Sequence, residues 1–320
     1  MKNSLFLLGA AAVVALSSCT KNEVLEVAEN RAIGFDAFVG KSTRVTEDVT
    51  LANLDSFELY GWRGNDLIFN KQNVSVEKNG TCTYSPTQYW EGGYTYAFEA
   101  VAPKNGENGV AITPAKEGGT INFTSNGITD LIYAKATDVP MNEKIESAPD
   151  NVGLTFKHLL SRVKFTFANN FPANAAAKIA VSKVTITNAN TVASITPATG
   201  AWTGQGTPAS ITFPGTIDNV AAQNSDATEH MYLIPVDAPN YTLTFTVTLT
   251  QAKGVTSTYE HSTTINTKLE KGNSYNFTAT LTPQNIDPET QMYPIEFKAT
   301  ETPWTDFGDE TVAVPSVPQP

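Results

Sequence analysis

Hydrophobic and polar positions alternate in short runs along this chain, and the pattern is clearest between Tyr241 and Thr250. Tyr241, Leu243, Phe245, Val247 and Leu249 share one face of that run, and Thr242, Thr244, Thr246 and Thr248 share the other. A period of two is the mark of a strand that buries one side. The same reading gives strands at Ile33 to Val39, Phe57 to Trp62, Tyr94 to Val101, Ile121 to Phe123 and Leu131 to Ala134. Leu67 to Phe69 with Val74 to Val76 reads as a hairpin. Further along, the strands are Arg162 to Phe167, Val184 to Thr187 and Tyr275 to Leu281, with Ile295 to Phe297 ahead of Trp304. Gly and Pro recur between the runs and no long segment shows helical periodicity, so the pattern predicts an all-β chain.

A polar stretch from Asp138 to Asp150 separates two groups of strands, and 320 residues is a length that usually makes two domains. Two tandem β-sandwiches are therefore expected, one over residues 45–150 and one over 151–320. Residues 19–44 form a leader that contains the Ile33 to Val39 strand.

Ahead of these, Met1, Lys2 and Asn3 lead into an apolar run from Leu5 to Leu16, followed by Ser17-Ser18-Cys19. The run is too short to span a bilayer and has the layout of a secretory signal peptide. Its Leu-small-small-Cys ending has the form of a bacterial lipobox, where the cysteine thiol is lipidated before cleavage ahead of it. Residues 1–18 are thus read as a lipoprotein signal peptide, Cys19 as the lipidation site, and the membrane as the partner of that lipid. Cys82 then lacks a partner for an intramolecular disulfide and reads as a small hydrophobe in a strand.

Composition narrows the chemistry. The chain carries 21 Lys+Arg against 32 Asp+Glu, a net charge of -11, which repels phosphate backbones and excludes nucleic acid as an expected partner. Two cysteines and three widely separated histidines do not make a zinc or iron–sulfur pattern, and no metal or cofactor is expected. The G-x-S-x-G, H-E-x-x-H, P-loop and Rossmann signatures do not occur. His158 and His230 read as structural, and His261, in a threonine-rich run, as solvent-facing. Asp306, Asp309 and Glu310 near Trp304 are the acidic cluster a glycosidase would need, but carboxylates in so acidic a chain usually solvate the surface. Trp62, Trp90, Trp202 and Trp304 read as buried anchors. The alternative is an anchored surface glycan-binding lipoprotein that exposes Trp90 or Trp202. The chain is read as a non-enzyme.

Several segments, taken in order, resemble the Bacteroidetes fimbrillin family, the FimA/Mfa-like pilins of type V pili. They are the lipobox ending at Cys19, the Ile33 to Val39 strand running into Thr43-Arg44, and Asp130 to Ala134. Leu154 to Val163, Lys271 to Tyr275, and Ile295 to Phe297 with Trp304 complete the series. The resemblance implies transthyretin-like sandwiches and a structural or adhesive pilin subunit, in the stalk or at the tip. It further implies export to the outer membrane, cleavage between Arg44 and Val45 by an Arg-specific protease, and loss of the first strand with its anchor. The removed strand would carry Ile33, Phe35, Ala37 and Val39. The gap would be refilled by a strand from another pilin subunit, of the same or a different kind, to build an extracellular fimbrium. The donor is expected near the C-terminus, where Val312 and Val314 alternate before Pro315 and Pro318. A host or bacterial surface glycan or protein is the implied adhesion target.

Overall fold

The alternating runs do form strands, and they are ordered by pairing rather than by position in the chain. The computed structural model describes residues 31–39, 49–140, 148–197, 199–237, 239–290 and 293–304. Among these residues there is no α-helix. The first nine strands are β1 (Gly34–Val39), β2 (Ser56–Arg63), β3 (Asp66–Val76), β4 (Cys82–Thr83), β5 (Thr95–Ala102), β6 (Val110–Thr113), β7 (Thr120–Thr124), β8 (Ile132–Pro140) and β9 (Asn151–His158). The next six are β10 (Ser161–Asn169), β11 (Lys178–Ala189), β12 (Val192–Ile195), β13 (Trp202–Thr203), β14 (Ala209–Thr212) and β15 (Ile217–Ala221). The last six are β16 (Asn224–Ala227), β17 (Met231–Leu233), β18 (Tyr241–Thr250), β19 (Thr256–Ile265), β20 (Asn273–Leu281) and β21 (Phe297–Pro303).

Seven strands make the first sheet, in the order β1-β9-β8-β5-β2-β3-β4. Its two ends approach each other, because isolated bridges join Asp36 of β1 to Thr81 beside β4, and Ala32 to Tyr89. The inner face holds Phe35, Phe57, Leu59, Phe69, Phe98, Leu154 and Phe156 in one apolar cluster. The second half packs β16-β10-β20-β21 and β14-β11-β18-β19 around a separate core that includes Phe165, Phe167, Ile179, Val181, Phe245 and Phe277. Tyr241, Leu243, Phe245, Val247 and Leu249 all point into that core, as the period of two requires.

A fourth sheet, β13-β12-β7-β6, is built from both halves, since β12 pairs antiparallel with β7. It covers the outer face of the first sheet: Val110, Ile121 and Phe123 cluster with Val101 and Tyr133, and Ile112 packs on Tyr60, Trp62 and Ala97. Two carboxylates are buried on that face. Glu58 accepts from the Tyr60 hydroxyl, and Glu99 accepts from Tyr133 at 2.9 Å and from the Gly119 N–H at 3.0 Å.

Three expectations change. Leu67 to Phe69 and Val74 to Val76 are not two strands of a hairpin but one strand, β3, whose turn lies instead at the Arg63–Asp66 pair with β2. The polar stretch between them is a bulge: Lys71 has φ 54° and the register with β2 shifts after Leu59. Residues just past Asp150 form β9, which pairs with β1 and β8, so the first sheet extends to His158 rather than ending at the expected division. His261 is not solvent-facing but 8% exposed. It lies directly across from Phe245 and stacks on that ring at 5.0 Å, so the face it shares is the core face.

Candidate functional site

The groove that β1 fills is walled on both sides. Along one edge β1 runs parallel to β9, in register from Gly34 opposite Asn151 to Val39 opposite Phe156. Along the other edge the Ala37 N–H donates to the Gly80 carbonyl at 2.8 Å and the Ile33 N–H to the Gln88 carbonyl at 2.9 Å. The Tyr84 hydroxyl donates to the Ile33 carbonyl at 2.6 Å, and the Trp90 N–H donates to the Arg31 carbonyl at 2.9 Å. A strand this short would ordinarily be an edge with unpaired groups on one side. Here both sides are occupied.

The four side chains of the sequence-expected strand, Ile33, Phe35, Ala37 and Val39, all enter the core. Phe35 sits edge-on to Phe69, Tyr84 and Phe98, with ring centroids 5.7, 5.8 and 5.1 Å away, the geometry aromatic quadrupoles favour. The intervening residues face outward: Phe38 is exposed, and Asp36 accepts from the Asn151 side-chain amide at 3.0 Å. Arg31, just before the strand, pairs with Asp150. Two glycines set the clearances. A Cβ on Gly34 would collide with the Asn151 side chain and stand 3.1 Å from the Asp150 carbonyl. A Cβ on Gly80 would stand 2.7 Å from the Ala37 carbonyl, and Gly80 also has φ +94°.

A second cluster joins the halves. The imidazole of His158, the last residue of β9, hydrogen-bonds through Nδ1 to Asp130 Oδ2 at 2.8 Å, and the Val49 N–H donates to the same oxygen at 3.3 Å. The His158 ring stacks on Trp304 at 4.1 Å with planes 7° apart, Tyr232 stacks at 5.4 Å, and the Arg162 guanidinium lies 5.5 Å from the indole. Arg162 is buried, donates through Nε to Ser274 at 3.0 Å, and burial lowers its pKa to about 10. The Trp304 N–H donates to the Gly272 carbonyl, and the Gly272 N–H to that of Leu160. The segments around Asp130, His158, Gly272 and Trp304, far apart in sequence, thus meet at one point.

Of the remaining expected positions, Cys19, Arg44, Val45, Asp306, Asp309, Glu310, Val312 and Val314 lie outside the described residues. Cys82 is half-buried against the first core, and burial pushes its thiol up to about 11, away from reactivity. Trp90 cannot be an exposed glycan platform, being 2% exposed and packed edge-on to Tyr96 at 4.7 Å. Trp202 is half-buried and spends its indole N–H on the Leu159 carbonyl at 3.0 Å. Among the described residues no group of three or more His, Cys, Asp and Glu is arranged to hold a metal ion. The sequence reading missed Tyr84, Gly80, Gln88 and the alternating Val152, Leu154 and Phe156 that form the walls of the β1 groove. The last three carry the period-two signal in plain view.

The fimbrillin-like family model matches residues 43–304. The fold is similar to that of a fimbrial protein from Bacteroides vulgatus ATCC 8482, at TM-score 0.63 and 18% identity over 86% of this chain and 100% of that one. It is also similar to a candidate cell adhesion protein from Bacteroides ovatus ATCC 8483, at TM-score 0.51 and 15% identity over 86% of this chain and 98% of that one. No curated protein matches the chain.

Proposed function

The chain belongs to the fimbrillin-like family, and on that premise we propose that it is a fimbrial subunit joined to its neighbours by strand exchange. In this reading Cys19 is lipidated and holds the exported precursor at the outer membrane. An Arg-specific protease then cuts between Arg44 and Val45, five residues beyond Val39. The leader departs with β1, and a strand from another subunit takes its place. The product is part of an extracellular fimbrium, as stalk or tip, with an adhesive role toward a surface glycan or protein.

One observation carries the reading. β1 is continuous with the leader, yet together with the preceding Ile33 it supplies four core side chains and is hydrogen-bonded along both edges. Its loss would leave the Ile33, Phe35, Ala37 and Val39 sites open and strand both ladders, a defect that costs free energy until another strand repairs it. Such a gap is a recognition site for an extended segment, with backbone bonds giving affinity and alternate side chains giving specificity. Because donor and acceptor lie at different places on a subunit, the contact is head-to-tail and open-ended.

The test is limited digestion of the full precursor with an Arg-specific protease. The expected result is one early cut at Arg44, release of the fragment containing β1, and a detergent-resistant complex once a strand from another fimbrial subunit is supplied. A precursor that remains intact, or that is cut and keeps β1 in place, overturns the reading. Metabolic labelling with a fatty acid, lost on Cys19→Ala, checks the anchor separately.

A further inference from the structure

The walls of the β1 groove specify what can fill it, and residues 305–320 do not meet the specification. Resting on the strand-exchange reading above, we propose that the groove accepts a strand from a different protein and not the tail of a second copy. The occupant carries, at alternate positions, an aliphatic side chain, an aromatic ring, an alanine or glycine, and a second aliphatic.

The pattern follows from the four inward sites. The second site is an aromatic cage, in which Phe69, Tyr84 and Phe98 each meet Phe35 edge-on within 5.8 Å. A smaller side chain there leaves a cavity, and cavities are expensive because close-packed walls relax only in part. The third site is enclosed, since Ala37 has no exposed surface and belongs to the packed first core, so a longer side chain would have to displace its neighbours. The position between the first two inward residues favours a small side chain, because a Cβ on Gly34 would displace the Asn151 side chain and stand 3.1 Å from the Asp150 carbonyl.

The tail can be slid along these sites, and no register fits. Placing Phe307, its one aromatic beyond Trp304, in the second site puts Asp309 in the enclosed third site, and an unpaired buried carboxylate is strongly disfavoured. Placing Val312 and Val314 in the first two sites leaves the aromatic cage underfilled and brings Ser316 and Pro318 into the last two. That register also sets Pro315 at the place of Asp36. Because the Ile33 and Ala37 N–H groups turn toward the Gln88 and Gly80 side, alternation turns that of residue 36 toward β9, and proline has none to give. Shifting by two residues puts Glu310 in the first site and Val314 in the enclosed one.

The groove therefore joins unlike subunits: this chain receives a strand that residues 305–320 of a second copy do not supply. The experiment uses the full precursor cut with an Arg-specific protease and offered labelled peptides spanning residues 31–39 or 309–320, the latter also with Val314→Phe and Ser316→Ala. The 31–39 peptide should bind the cut protein roughly 100-fold more tightly than the 309–320 peptide, with the substituted tail recovering part of the gap. Release of β1 followed by binding of the native tail peptide within about tenfold of the β1 peptide overturns this inference alone. Failure of β1 to leave overturns the strand-exchange reading with it. A second arm needs no cleavage: the uncut precursor carrying Ile33→Val, Phe35→Val, Ala37→Ser and Val39→Pro should lose amide protection at Val152, Leu154 and Phe156 by roughly 100-fold, and Phe35→Val alone by roughly tenfold. Unchanged protection in both variants overturns the pocket pattern.

Discussion

The two halves of the molecule each carry a strand close to one end of the described chain, and the two strands are held in different ways. β1 is a plug. Its inward residues fill the middle of the first core, and it bonds to β9 on one side and to residues 80–88 on the other. β21 is a rim. It pairs only with β20 in the described residues, most of its side chains are exposed, and it is fixed at its end by Trp304. The second core is assembled mainly from strands lying between Ser161 and Leu281, with Ile286, Ile295 and Phe297 added at its margin, whereas the first depends on a strand more than a hundred residues away from its parallel partner. A core completed by one short remote strand can be opened by removing that strand. A core completed locally cannot be opened by removing its rim.

The sharpest way to break this contrast is truncation of one ring in each strand. Phe35→Ala should cost about 3–5 kcal/mol, the range for a fully enclosed aromatic in a rigid cage. Phe297→Ala, in the half-buried start of β21, should cost about half as much, although Phe297 also meets Phe165, Phe167 and Phe245 edge-on. Urea unfolding followed by tryptophan fluorescence and by hydrogen exchange in each half measures both, and equal costs would dissolve the distinction between plug and rim. Next comes the anchor itself. Trp304→Leu should cost about 2–3 kcal/mol, because it leaves a gap beside His158 and Tyr232 and takes the ring from under the Arg162 guanidinium. The loss should appear as faster amide exchange in β21 with β1 unaffected.

Smaller again is the link between the halves. His158→Ala should cost about 2 kcal/mol, since it removes the nearer of two donors to a carboxylate that has no exposed surface. Asp130→Asn in the same chain should recover part of that loss, by removing the buried charge. A full cost with no recovery would mean that the ring stacking on Trp304, and not the hydrogen bond, holds the junction. A double-mutant cycle over the two positions gives the answer directly.

What the sequence revealed and what it concealed follow from the range of the interactions involved. The inward set Ile33, Phe35, Ala37 and Val39 is legible because strand periodicity is local. Its parallel pairing with β9 is not, because nothing near Gly34 names Asn151 as its partner. The two-strand reading of residues 67–76 failed at Lys71, where one left-handed residue bends a continuous strand and polar neighbours mimic a turn. His261 was misjudged because Glu260 and Ser262 flank it. Its side of the sheet is set by Phe245 across the ladder, which only the register reveals. The small sheet shared by the halves was invisible for the same reason: β7 and β12 meet across roughly seventy residues of chain. The Trp304 junction was half legible, for Asp130, His158, Arg162, Gly272 and Trp304 fall in the segments that carry the family resemblance while Tyr232 and Val49 do not, and their convergence is a property of the fold.

The smallest expected effect is also the one that separates the halves by sign. Glu99, under the small sheet, has its pKa raised by burial, with the Gly119 N–H, the Tyr133 hydroxyl and the charge of Lys135 opposing the shift. Its fold therefore favours the neutral acid, and the stability this contributes is complete below the ordinary value of 4.5 and is lost as pH rises through the raised one. His261, in the second core, has its pKa lowered by burial, against the backbone at Ile286 and the charges of Asp287 and Glu260. Its neutral ring is the favoured form, so its contribution is complete above 6.5 and is lost as pH falls through the lowered value. Acidification should thus help the first half at Glu99 and harm the second at His261. Every other carboxylate also titrates, so the effect is read as a difference from Glu99→Gln and from His261→Gln. The advantage of Glu99→Gln over the parent should grow with rising pH, and that of His261→Gln with falling pH, when unfolding is followed across the interval from 4.5 to 6.5. Parallel trends in the two variants would mean that the two cores respond to protons as one body, joined through the shared sheet and the Trp304 junction rather than opened or closed one at a time.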